Sequence, residues 1–152
     1  MLNYHLWTEE DFKNRGLIDD GIYKFQIKRI IKKKTRSGID KNGNDKPIYD
    51  MIEIDFDFWD NQGSIRKIKD WITFIEGMDW KLRCIADTTG KLDLYEERTL
   101  DDYHLIDLIG YFKLSNKEIE EKDGTKRKIN FVKDYIKRSS SNSESIDTDI
   151  PF

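Results

Sequence analysis

From Gly21 onward the large apolar residues recur at every second position in long runs, and a period of two buries only one face of an extended chain. Tyr23, Phe25, Ile27 and Ile31 fall on one side of a strand spanning Ile22 to Lys34, with Lys24, Gln26, Lys28 and Lys32 on the other. From Ile48 to Trp59 the inward set is Ile48, Ile52, Ile54, Phe56 and Phe58. The outward set there is Tyr49, Met51, Glu53, Asp55, Asp57 and Trp59. Asp60-Asn61-Gln62-Gly63 turns into a third strand, Ser64 to Phe74, with Ile68, Ile72 and Phe74 inside and Lys67, Lys69 and Trp71 outside. Three half-buried strands in succession need a sheet covered on one face, so the fold class is mainly β.

Helical signals are few and short. Thr8-Glu9-Glu10-Asp11 is a capping box that opens a short N-terminal helix, closed by Gly16. Met78, Leu82, Ile85 and Ala86 form one apolar helix stripe ending before Gly90, and Thr99-Leu100-Asp101-Asp102 caps a further turn. Leu108 to Glu120 and Lys126 to Ile136 make a hairpin around Asp123-Gly124, with Tyr111, Phe112, Phe131 and Tyr135 read as core. Three meandering strands, a helix and two more strands is the order of an OB-fold, a small, partly open barrel. The expectation is therefore an OB-fold-like five-stranded barrel over residues 1–138. It carries a short N-terminal helix and a helix between strands three and four, and a disordered acidic tail follows over residues 139–152.

At 152 residues the chain is long enough for one domain with a real core. The single thiol, Cys84, leaves no disulfide framework or zinc constellation and suits a reducing compartment. No apolar run reaches membrane-spanning length and no secretory pattern opens the chain, so a soluble, cytoplasmic protein without a membrane partner is expected. The net charge of -3 conceals a division. The tail holds Glu144, Asp147 and Asp149 without a Lys or Arg; taking these three from the 30 acids leaves 27 in residues 1–138, equal to the 27 bases. Residues 21–46 concentrate nine bases against Asp40 and Asp45. A basic patch with an acidic appendage suits a polyanionic ligand and a separate protein partner.

Single-strand binding without sequence preference needs cations for phosphates and flat rings for unstacked bases. The candidates are Lys67, Lys69 and Trp71 on strand three and Tyr49 and Trp59 on the outer face of strand two. Lys34, Arg36 and Lys41 lie at the first loop, and Lys122, Lys126, Arg127 and Lys128 around the last hairpin turn. The acids Glu53, Asp55 and Asp57 stand on the same face, where they repel phosphate unless paired across strands with Lys24, Lys28 or Lys67. They also define a rival, a Mg²⁺-dependent nuclease. Their spacing at i, i+2 and i+4 spreads them over roughly 13 Å, too far for one ion. His5 and His104 stand in unrelated contexts, no phosphate-binding glycine loop or nucleophile elbow occurs, and no cofactor is implied. A protein-only adaptor on the same scaffold is the other alternative.

The serine-rich run from Ser139 buries too little to fold, and it ends on Asp147, Asp149, Ile150, Pro151 and Phe152. One aromatic ring, a free carboxylate and two nearby aspartates suit a basic pocket with an apolar floor. Asp149-Ile150-Pro151-Phe152 resembles, residue for residue, the ending of bacterial single-stranded DNA-binding proteins. The body resembles a family of phage-encoded single-stranded DNA-binding proteins. The matching features are Gly21-Ile22-Tyr23, Ser37-Gly38, Met51 to Phe58, Leu82 to Ala86, Ile109-Gly110, and Asp123-Gly124 before Ile129 to Tyr135. These resemblances imply a non-enzymatic protein that coats single strands in phage replication or recombination. They also imply recruitment of replication or recombination proteins through its tip.

Overall fold

The structure, a computed structural model, describes residues 1–138. The tail residues Asp147, Asp149, Ile150, Pro151 and Phe152 lie outside the described residues. In chain order the elements are α1 (Glu9–Lys13), β1 (Gly21–Lys34), β2 (Asp50–Trp59), β3 (Ile65–Thr73), α2 (Trp80–Thr89), α3 (Leu92–Glu96), α4 (Asp102–Leu105), β4 (Ile109–Glu120) and β5 (Lys126–Tyr135). The strands form one antiparallel sheet in the order β3-β2-β1-β4-β5. Its hydrogen-bonded ladder is open, with β3 and β5 at the edges. A side-chain bond spans them: the buried Tyr135 hydroxyl donates to Asp70 at 2.7 Å, and Lys81 of α2 reaches the other Asp70 oxygen at 2.9 Å. Desolvation, reinforced by the Asp70 charge, pushes the Tyr135 hydroxyl pKa well up and keeps it a donor.

The alternating pattern places the core where the spacing requires. Phe25, Ile27, Ile54, Phe56, Phe58, Ile72 and Phe112 are buried together, with Phe25 centred 4.8 Å from both Phe56 and Phe112. Tyr111 and Tyr135 are buried as expected, while Phe131 is half-buried under the Lys117 ammonium at 5.0 Å. The α2 helix covers this core through Ile85, Ala86 and Thr88, and ends at Gly90 in the left-handed region, φ 82°. Thr88 ties the helix to β4, accepting from Tyr111 N–H at 3.0 Å and donating to its carbonyl at 3.1 Å. A Cβ on Gly110 would stand 2.7 Å from Phe25 Cζ and 2.9 Å from Thr88 Cγ2, so this close approach requires glycine.

Four expectations are corrected. A bulge in the β1–β2 pairing between Ile27 and Arg29 shifts the alternation, so Ile30 rather than Ile31 packs against the core. Ile31 then stands opposite Glu53, and Lys32 turns from the expected outer face to Asp101, the N-cap of α4, at 3.1 Å. Ile48 is 55 % exposed because β2 begins at Asp50, after the loop. Met78 is likewise exposed, since α2 begins at Trp80. The connection between β3 and β4 holds α3 as well as the two helical pieces expected. Thr8 forms the expected capping box with Asp11, and Asn130 of β5 holds the entry to β1, accepting from Ile18 N–H at 2.9 Å and donating to its carbonyl at 2.8 Å.

Candidate functional site

The outer face of β1, β2 and β3 is a grid whose rows are fixed by register. Directly opposed residues in antiparallel strands share a face. The rows run Gln26–Asp57–Lys67, Arg29–Asp55–Lys69, Ile31–Glu53–Trp71 and Lys33–Met51–Thr73. Trp59 stands beyond the first row, half-buried, with the Lys24 ammonium 5.8 Å from its ring centre. Trp71 is 47 % exposed at the far side. Trp59 lies six positions after Glu53 on β2, so the two tryptophans bracket a stretch of roughly 20 Å. A cleft of about 480 Å³ lies between them, rimmed by Lys28, Arg29, Lys67 and Lys69, with Asp55 and Asp57 in its wall.

The acids of β2 form a line down the middle of this face, and cations from both neighbouring strands meet them. Lys67 stands 3.8 Å from Asp57, the partner expected from sequence. Lys24 and Lys28 do not take that role. Lys69 does instead, 3.4 Å from both Asp55 and Glu53, and Lys33 lies 3.2 Å from Glu53. The Trp71 indole N–H also donates to Glu53, at 3.1 Å. The hydrogen bond from Lys33 is the largest of several influences holding the Glu53 carboxyl below its usual pKa, and the bond to Glu53 raises the Lys69 ammonium. This face is thus a charge-matched grid with an exposed ring at one side.

The two candidate basic loops project from opposite ends of β1. The β1–β2 connection leaves after Lys34, whereas β4 and β5 run past Gly21, where β1 begins, before turning. In the first connection Ile39 bridges Asp45, and the Asp40 carboxylate accepts from Asn42 and Asn44 N–H groups at 2.9 and 3.0 Å. That turn puts Lys41 at an exposed tip. Lys34 is ion-paired to Asp50 at 2.6 Å, while Arg36 and Lys41 have no ion pair among the described residues. Tyr49 lies before β2, 38 % exposed, with its backbone N–H on the Thr35 hydroxyl at 2.9 Å. At the second turn Lys126 approaches Glu118 at 3.8 Å and Arg127 pairs with Glu121, while Lys122 and Lys128 are exposed without an ion pair among the described residues.

The structure therefore gathers Trp59, Lys67, Lys69 and Trp71 on one face and leaves Tyr49 and the two loop clusters at its margins. Lys33 and Arg29 join the outer face and were absent from the sequence-based set, because the bulge at Lys28 sends them there. The adjacent pair Ile30-Ile31, which breaks strict alternation, is the signal in the sequence for that shift. Among the described residues no group of His, Cys, Asp and Glu is arranged to hold a metal ion, and no helix is long and apolar enough to cross a membrane. The chain matches no protein-family model, and no curated protein is similar enough to it in sequence to count as a relative.

Proposed function

We propose that this protein binds single-stranded DNA without catalysing a reaction, coating exposed strands during phage replication or recombination. In this reading the sheet is an OB-type barrel, partly open between β3 and β5, where the Tyr135–Asp70 bond draws the two edges together. The observation that carries the proposal is the outer face of β1–β3, where Trp59 and Trp71 bracket a cleft rimmed by four cations. Rings there stack on unpaired bases and cations neutralise phosphates, a combination duplex DNA cannot use because its bases are already stacked. Arg36, Lys41, Lys122 and Lys128, free of ion pairs among the described residues, extend the contact beyond both ends of the face. The tip at Asp147, Asp149, Ile150, Pro151 and Phe152 recruits replication or recombination proteins.

A second reading, a protein-interaction adaptor, is favoured by the exposure of Leu2, Tyr4, Leu6 and Trp7 before α1. A titration with dT and mixed-sequence oligomers separates the two. Coating predicts quenching of tryptophan emission, affinity falling linearly with log salt and much weaker binding to duplex. Equal affinity for single and double strands would sink the coating mode, and no binding at low salt leaves the adaptor.

A further inference from the structure

Glu53 stands apart from the other acids of the grid. It is 7 % exposed, and three donors from two different strands converge on it: Lys33 of β1, and Lys69 and Trp71 of β3. The indole is held by its N–H edge, which leaves the ring face open to a base, and Trp71 remains 47 % exposed. Each ammonium carries three donors, and the exposure of the Lys33 and Lys69 side chains, 45 % and 51 %, leaves them accessible to phosphate oxygens.

We propose that Glu53 is a positioning residue that assembles Trp71, Lys33 and Lys69 into a seat for one nucleotide, the indole taking the base and the two ammonium groups the adjoining phosphates. The inference rests on the single-strand reading above and deepens it. A free tryptophan and two free lysines lose rotamer freedom when they bind a strand, and a carboxylate that fixes all three in advance removes much of that cost. The sign of the effect runs against simple electrostatics. A carboxylate on a surface that meets a polyanion repels it, so its neutralisation strengthens binding if charge is all it contributes. If it positions the ring and the cations, neutralising it weakens binding.

The experiment compares wild type, Glu53→Gln and, as an exposed acid away from this face, Glu97→Gln at the end of α3 by anisotropy of a fluorescein-labelled dT oligomer at two salt concentrations. The Trp71 indole ¹⁵N–¹H resonance and the thermal midpoint are recorded alongside. Glu53→Gln is expected to lose about fivefold or more in affinity with a shifted indole resonance, whereas Glu97→Gln, which touches neither the ring nor the cleft, keeps wild-type affinity. Glu53→Gln binding as tightly as wild type, or tighter, overturns the positioning role while leaving single-strand binding intact. Failure of wild type itself to bind overturns both readings. Should Glu53→Gln lose its thermal transition, Glu53→Asp answers the same question, since it keeps the charge and shortens the reach to Lys33, Lys69 and Trp71. A drop of about threefold is expected, and unchanged affinity overturns the proposal.

Discussion

Each outward aromatic is set by what holds its polar or cationic edge. Trp59 has one approach occupied by Lys24 at 5.8 Å and is half-buried, whereas Trp71 is tethered by its N–H and presents more surface than any other outward ring of the sheet. Replacing Trp71 by Ala is therefore expected to weaken single-strand binding by about 1–3 kcal/mol, the usual contribution of one stacked base. The thermal midpoint should hardly change, because the ring fills no part of the core. Isothermal titration alongside a melt checks both, and loss of the thermal transition would instead make Trp71 a packing residue. The acids around it explain why a row of carboxylates is tolerated there: each meets a cation across the strand, at 3.2 to 3.8 Å. The Lys67–Asp57 and Lys69–Asp55 pairs are open to solvent on the lysine side and contribute little stability, so their consequence is geometric order on the face.

At the scale of elements, the position of α2 over the sheet depends on one glycine. Gly110 lets Thr88 and Phe25 meet above β4, and Thr88 both accepts from and donates to the Tyr111 backbone. A methyl group placed 2.7 Å from Phe25 Cζ has to displace either a ring packed on Phe56, Phe112 and Tyr135 or the helix itself. Gly110→Ala is accordingly expected to cost about 1–3 kcal/mol, the usual range for overpacking. Urea unfolding measures it, and a variant as stable as wild type would mean that α2 sits further from the sheet than described. The bulge in β1 acts at the same scale with the opposite outcome. One inserted residue turns Lys32 to the cap of α4 and brings Arg29 and Lys33 to the outer face.

For the molecule as a whole, the proposed division of labour puts strand contact in residues 1–138 and partner capture at the tip. Phe152→Ala and deletion of Ile150 to Phe152 are expected to leave the melt and the dT affinity unchanged while abolishing most partner capture, because the ring is the only large aromatic anchor there. Pull-down from host extract compares the sets recovered, and identical sets would refute recruitment. How far this organisation was legible depends on which interactions are local. Strand count, the inward phenylalanines of β2, the capping box at Thr8 and the hairpin at Gly124 followed from period, caps and turn residues, which act over a few positions. The outward lysines and tryptophan of β3 followed in the same way. The partners of the β2 acids did not, since a sequence states neither which strands lie side by side nor the register between them. The bulge was signalled only by the adjacent pair Ile30-Ile31, and packing against the core chooses which of the two turns inward. The meeting of Lys33, Lys69 and Trp71 on Glu53 needs three strands in register, and the Tyr135–Asp70 tie needs two sheet edges drawn together. Local chemistry in the sequence thus determined the five strands and, outside the bulged end of β1, the face each strand residue takes. Tertiary structure alone decided which faces meet, because that depends on non-local pairing paid for by burying one shared core.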